Sequence, residues 1–524
     1  MHTPVYPPVL RQKPFVLSPA ASDVELSTAY VKQKIATNKL SDDGIKSIID
    51  HIRLITQEVA AQHTTSNIKE TQQRDFLGGI IRAFDQICLR SENIHVAVQK
   101  LDASTLEKTY VIQSYYAAVS ASGLPILPHS SALLSPRRSS TTPTIVYAIF
   151  GGQGIGGLYL DELRYLFTTY QSLIKSTLQA SEELLLSLLH VADAPDIYTH
   201  GLAFTSWLQS DSNVPSREYL NSAPVSFPLI GILQLASYEV TCKTLGLHPG
   251  QLRDSLSGTS GHSQGLIAAA AIAMADSWES WRAATHVAVT ALFWLGMRTH
   301  QFYKPTAISP AMIKDSEMHG EGIPTSMLHL RGFERDEIQT QVSKANKKLR
   351  PGSQIALSLI NGPKNFVCSG SSIGLYGLNR QLRKLKQQDQ RTSRYLPISA
   401  PFHNECLDTV PDIVYKDLDG IAIQSSDLKI PLYCTRTGKD LNSYGDDIIP
   451  ELLRLVLSEP LDWEAASAFP GATHIVDFGP GGVHGIGSLT NANKKGKDVK
   501  VILATTMHGT SSTLGYQAEI FRGP

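Results

Sequence analysis

From Ser41 onward, Ile45, Ile48, Ile49, Ile52, Ile55 and Val59 recur at spacings of three and four. That spacing predicts an amphipathic helix with Ser41 as its N-cap. Helix-compatible sequence continues to about residue 121, so residues 1–123 read as a helical N-terminal region behind a proline-rich first twenty residues. Residues 124–144, LPILPHSSALLSPRRSSTTPT, hold four prolines and five serines and predict a linker or extended surface segment. The texture then changes. Ile145 to Phe150 is a short apolar run suited to a buried strand, and it stops abruptly at GGQGIGG. About a hundred residues of helical pattern follow, then a second glycine turn, SGTSGHSQG, leading into the apolar helix candidate LIAAAAIAMA. Alternation of this kind predicts an α/β core with a mostly parallel sheet, here over 145–320 and 404–520. Between them, SMLHL, DEIQTQVSKANKKL, QIALSLI, NFVCSG, SIGLYGLNRQLRKLK and RYLPIS read in the order β-α-β-β-α-β. That order predicts a ferredoxin-like subdomain inserted over 321–403.

Composition narrows the classes. At 524 residues, with 42% hydrophobic and 18% charged positions, the chain suits several folded domains with sizeable cores. Lys+Arg and Asp+Glu both number 47, which gives no reason to expect nucleic acid or a membrane surface as a partner. Cys88, Cys242, Cys368, Cys406 and Cys434 are odd in number and lack CxxC spacing, which argues against a disulfide framework or a thiolate metal site. No stretch approaches the ~18 consecutive apolar residues of a membrane span, and the first residues lack the charge and apolar run of a secretory signal. A cytoplasmic protein is the expectation.

The chemistry concentrates in a few turns. Gly261-His262-Ser263-Gln264-Gly265 fits the GxSxG elbow, in which a serine sits on a strained strand-to-helix turn beside a backbone N–H aimed at a developing oxyanion. The bland alternative is a glycine-rich surface turn. A serine hydroxyl needs a base, and of 17 histidines His403 stands out, in Leu396-Pro-Ile-Ser-Ala-Pro-Phe-His403 at the end of the insert's last strand; a surface histidine in a turn is its plain alternative. Gly151 to Gly154 forms another tight turn after a strand, whose amides suit the other half of an oxyanion hole. The run from Gly152 to Gly157 also satisfies GxGxxG, but the acidic residue expected about 20 residues on is missing, since around 172 the sequence reads SLIKSTLQA with no acid until Glu182, which sets the dinucleotide reading aside. Asp254-Ser255-Leu256 spells a carrier-protein attachment triplet and is read as accidental.

Taken together, these segments resemble the acyl-CoA:acyl-carrier-protein transacylases, above all the acetyltransferase region at the N-terminus of the fungal fatty acid synthase β subunit. The segments that carry the likeness stand in the same order: AIFGGQG, DELRYLF, PLIGILQLASYEVTCKTLGLHPGQLR, GHSQGLIAAAAIAMADSWESW, SLINGPKNFVCSG, LYGLNRQLRK, LPISAPFH, IPLY and FGPGG. The likeness is dense from about 144 to 520 and looser before it. It implies a hydrolase-like α/β core and a Ser263–His403 dyad. It further implies an oxyanion hole from the amides of Gln153 and Gln264, and a substrate-site position at Asn361. The FGPGG loop would supply a carbonyl that orients the histidine, so that no aspartate is needed. The implied reaction is ping-pong: acyl-CoA acylates the serine, and the phosphopantetheine thiol of an acyl carrier protein takes the acyl group, without metal or redox cofactor. Other fatty acid or polyketide synthase subunits are implied partners. Related malonyl transferases carry Arg-Gly-Met where this chain has Leu295-Gly296-Met297, so Leu295 predicts a monocarboxylic acyl group, acetyl or longer. Arg298 is the one nearby cation that could undo this, and it is expected to face solvent. His484 and Asn404 stand where smaller residues are expected. A serine thioesterase or esterase, a loader of a longer hexanoyl-type starter, and a non-catalytic scaffold remain as alternatives.

Overall fold

The computed structural model describes residues 49, 50, 52, 53, 56, 67–90, 92–134, 144–350, 352–386, 391–507, 509 and 511–523. Of the first expected helix, Ile49 and Ile52 are helical and buried; Ser41, Ile45, Ile48, Ile55 and Val59 lie outside the described residues, as do residues 1–20. The chain divides into two compact units. The smaller takes residues up to 91 together with 117–124, and its described core includes Leu77, Ile80, Ile81 and Phe84 on the helix Asn67–Phe84. The larger takes 92–116 and 125–524.

Within the larger unit, the segment expected as a linker is partly anchored. His129 N–H donates to the Leu245 carbonyl, Ala132 N–H to that of Arg522, and Ser131 Oγ to that of Ile520. Residues 135–143 lie outside the described set.

The core is a five-stranded parallel sheet. Its strands are β1 (Val146–Phe150), β2 (Thr259–Gly261), β8 (His474–Asp477), β9 (Lys500–Leu503) and β10 (Leu514–Tyr516), in the order β10-β9-β8-β1-β2. Every residue of β1 is buried, as expected of a strand covered on both faces. Helices α1 (Leu158–Ala192), α2 (Ala223–Thr244), α3 (Gly265–Met274) and α4 (Trp278–Phe302) pack among themselves, and α3 packs on β1 and β2. Among the described residues α2 alone is long and apolar enough to cross a membrane, and it is wholly buried inside the protein.

The insert has its own sheet: β3 (Met327–Arg331), β4 (Ala356–Gly362), β5 (Asn365–Ser369) and β6 (Thr392–Tyr395), antiparallel in the order β6-β3-β5-β4. Two helices, α5 (Arg335–Asn346) and α6 (Ser372–Lys386), complete the βαββαβ order. This is the ferredoxin-like arrangement, closed around a core that includes Leu328, Phe333, Ile338, Phe366 and Leu382. Two features depart from the sequence reading. The last strand stops at Tyr395, ahead of Pro397, so His403 follows an irregular turn rather than a strand end. A two-residue strand from outside the insert, β7 (Leu461–Asp462), joins β4 in parallel and extends this sheet to five strands.

Strand register brings three loops together. Phe150 pairs with Gly261 and Ile149 with Asp477, so β2, β1 and β8 end side by side. The loops 262–264, 151–154 and 478–482 therefore leave adjacent carboxyl ends of a parallel sheet, where open α/β proteins build their sites.

Candidate active site

Ser263 takes φ +55°, a left-handed conformation costly for a residue with a β-carbon. The flanking glycines explain how the turn survives. A β-carbon at Gly261 would lie 2.0 Å from the backbone of Gly265, and one at Gly265 only 2.4 Å from the Phe150 carbonyl oxygen. Glycine at both places lets the start of α3 close onto β1 and leaves Ser263 half-buried at the top of the turn.

His403, 140 residues away, lies beside it: Nε2 is 2.9 Å from Ser263 Oγ. Nδ1 lies 2.8 Å from the Glu459 carbonyl oxygen. Because a carbonyl can only accept, Nδ1 carries the proton and Nε2 offers its lone pair to the serine hydroxyl. His403 also takes a left-handed φ of +59°, and its N–H donates to the Leu457 carbonyl at 2.6 Å. Asn404 braces the turn, accepting from Cys406 N–H at 3.0 Å and donating to the carbonyls of Ser369 and Gln354 at 3.2 and 3.3 Å. Burial, with a smaller push from His262, drives the His403 imidazole down to about 4, against the opposing effect of the hydrogen bond it donates to the Glu459 carbonyl. It is a neutral base at neutral pH.

Here the structure corrects the sequence reading. The FGPGG loop does not orient the histidine; Glu459, between the end of helix α7 (Ile449–Leu457) and Pro460, does. A residue before proline is steered out of the helical region. The Gly479 carbonyl of FGPGG is occupied instead by Gly151 N–H at 2.8 Å and Gln234 Nε2 at 2.9 Å.

The second glycine turn packs directly on the elbow. A β-carbon at Gly152 would lie 2.8 Å from the His262 carbonyl oxygen and 3.1 Å from Ser263 Cβ. Neither Gln153 N–H nor Gln264 N–H donates to an acceptor among the described residues. The side chain of Gln153 donates to Ser226 Oγ, and that of Gln264 donates to the Phe227 carbonyl at 3.3 Å, so α2 holds both turns. The Phe227 ring also meets Phe402, centroids 5.1 Å apart, giving the dyad an apolar wall.

Asn361 reaches the site through His262. Its Oδ1 is 2.9 Å from His262 Nε2, and its own carbonyl accepts from Asn493 Nδ2 at 2.9 Å. His262 is buried with its ring edge-on to Trp463, and burial drives its imidazole down to about 4. The sequence reading gave His262 no role; its place inside the elbow pentapeptide was the available signal.

Leu295 is fully buried on α4. The adjoining Gly296 packs against the start of α2, where a β-carbon would lie 2.3 Å from the Ala223 carbonyl oxygen. Arg298 does not face solvent freely. It makes a two-pronged pair with Asp417, Nε to Oδ2 at 2.6 Å and Nη2 to Oδ1 at 2.7 Å, and lies over the Trp294 ring. His484 is exposed. Ser255 Oγ is committed to the Leu134 carbonyl at 2.7 Å. Among the described residues no group of three or more His, Cys, Asp or Glu is arranged to hold a metal ion.

A strained serine paired with a neutral imidazole, at the carboxyl ends of a parallel sheet, makes a serine-nucleophile site of the kind that α/β acyltransferases and serine hydrolases share. Residues 148–403 match the family model described as "Starter unit:ACP transacylase in aflatoxin biosynthesis". The chain is 39% identical over 460 residues to fatty acid synthase subunit beta of Saccharomyces cerevisiae, covering 84% of this chain and 22% of that one. It is 35% identical over 533 residues to fatty acid synthase beta subunit aflB of Emericella nidulans, covering 95% and 25%. Among solved structures, the malonyl CoA-acyl carrier protein transacylase of Coxiella burnetii aligns at 19% identity and a TM-score of 0.48, covering 70% of this chain and 96% of that one. Over residues 148–403 the chain is thus similar to the starter-unit acyl-carrier-protein transacylases. It spans about a quarter or less of the length of the fatty acid synthase subunits it matches.

Proposed function

We propose that the protein moves a monocarboxylic starter acyl group from coenzyme A to the phosphopantetheine thiol of an acyl carrier protein, through an acyl-serine, in fatty acid or polyketide synthesis. The Glu459–His403–Ser263 chain of hydrogen bonds is the observation that carries this reading. Ser263 Oγ attacks the thioester carbonyl while Nε2 of His403 takes its proton. The oxyanion is held by the amides of Gln153 and Gln264, and its collapse expels coenzyme A, whose sulfur takes the proton from His403. The carrier thiol then gives its proton to His403, attacks the acyl-serine and restores Ser263. The Glu459 carbonyl keeps the imidazole in the tautomer both half-reactions need.

The uncharged Leu295, and an Arg298 already paired with Asp417, support a site without a free cation for a second carboxylate. The family description and the names of the relatives support the carrier protein and the synthase setting. Incubation with acetyl-CoA and holo-carrier protein, with malonyl-CoA in parallel, tests the reading. Acetyl should appear on the carrier faster than malonyl, and faster than free acetate appears. Malonyl preference would reject the acyl assignment, and hydrolysis matching transfer would favour a thioesterase.

A further inference from the structure

Gln234 is the one amide in the run Pro228-Leu-Ile-Gly-Ile-Leu-Gln234-Leu-Ala on α2, and it is completely buried. A buried amide in such a helix must find partners or carry a desolvation cost. Its NH2 group finds two on different loops: the Gly151 carbonyl at 2.7 Å and the Gly479 carbonyl at 2.9 Å. Both partners are acceptors, so the amide has one consistent orientation. Its Oε1, by contrast, is buried without a partner. The fold thus tolerates an orphan acceptor while keeping both donors in use.

The two loops it joins are those beside the elbow. Gly151 N–H also donates to the Gly479 carbonyl at 2.8 Å, so the peptide groups on both sides of Gly151 are pinned to the FGPGG loop. That loop is itself fixed. Asp477 accepts from Gly479 N–H and Gly487 N–H, both at 2.8 Å, and Glu162 accepts from Gly481 N–H at 2.6 Å. Two residues beyond the pinned Gly151 is the uncommitted N–H of Gln153.

We infer that Gln234 is a positioning residue for acyl transfer: by joining the Gly151 and Gly479 carbonyls it aims Gln153 N–H at the oxyanion, with FGPGG as a fixed support. The inference rests on the acyl-serine reading. An oxyanion donor acts as charge develops in the transition state, so losing its aim lowers kcat and leaves KM in place.

The test is Gln234→Met, which keeps volume and removes both donors, with kinetics normalised to the fraction of enzyme that can be acylated. Gln234→Glu, which keeps the shape but donates at most once, carries the test should the Met variant not fold. The expected result is full acylation amplitude, kcat down about 10- to 100-fold and KM within about twofold of wild type. A kcat within twofold of wild type overturns the inference. So does a loss confined to KM, to the acylatable fraction or to melting temperature, the signature of a purely structural glutamine. Absence of acyl-enzyme in the wild type would overturn the acyl-serine reading itself, a failure visible before any variant is made.

Discussion

The pH at which acylation fails is a direct readout of how His403 is buried. A base must be neutral to take the Ser263 proton, and burial drives this imidazole from an ordinary 6.5 to about 4. At pH 5.5 an ordinary imidazole would be ~10% neutral, whereas one titrating near 4 would be ~97% neutral. Acyl-enzyme formation should therefore be nearly as fast at pH 5.5 as at pH 8, with its acid limb near pH 4. The assay is single-turnover acylation, quenched at timed intervals and read by intact mass across pH 4 to 8. Equilibrium stability would be a poorer probe, because opposing groups titrate together. His262 and His403 stay neutral while their unfolded counterparts take up protons below about 6.5, so they lower stability as pH falls from there towards 4. Asp477 and Glu162, pushed by burial up to about 7, hold protons that the unfolded chain has released, so they raise stability as pH falls below 7. An acylation rate that halves near pH 6.5 would refute the reasoning.

Two substitutions test the supports around the dyad. Gly152→Ala would set a β-carbon 2.8 Å from the His262 carbonyl oxygen; the oxyanion turn must move, so kcat should fall at least about tenfold, with a stability loss of ~1–3 kcal/mol by chemical denaturation. Asn404→Ala removes the bonds that tie the His403 turn to β5, and should cost ~1–2 kcal/mol and slow acylation at saturating acyl-CoA, measured by the same two assays.

How much of the site is legible in the sequence depends on where each constraint acts. The elbow was readable because its pentapeptide is contiguous: a β-carbon at 261 would strike the backbone of Gly265 in the same turn, although the glycine at 265 is demanded by Phe150 on β1. The βαββαβ order of the insert was readable because each element carries its own periodicity. Ser263 and His403 each stood out in their own turns, but the family likeness was needed to pair them, since 140 residues separate the two and no local pattern encodes their approach. Glu459 was illegible for a different reason: it acts through its backbone carbonyl, which every residue possesses. The likeness pointed to FGPGG instead, a loop whose Gly479 carbonyl is spent on Gly151 and Gln234. Strand β7 escaped because two residues carry no periodicity, and Arg298 because its partner, Asp417, lies on a helix far along the chain. Gln234 did leave a signal, a lone amide in an apolar helix, but its partners are backbone atoms of loops that come together only in the fold.

The most direct test of the account is to locate the acyl group itself. Brief exposure to acetyl-CoA, followed by acid quench, digestion and fragment mass analysis, should find the adduct on the peptide containing Ser263. It should be absent in Ser263→Ala and form about a thousandfold more slowly in His403→Ala. An adduct on any other residue, or unimpaired acylation without the imidazole of His403, would contradict the account.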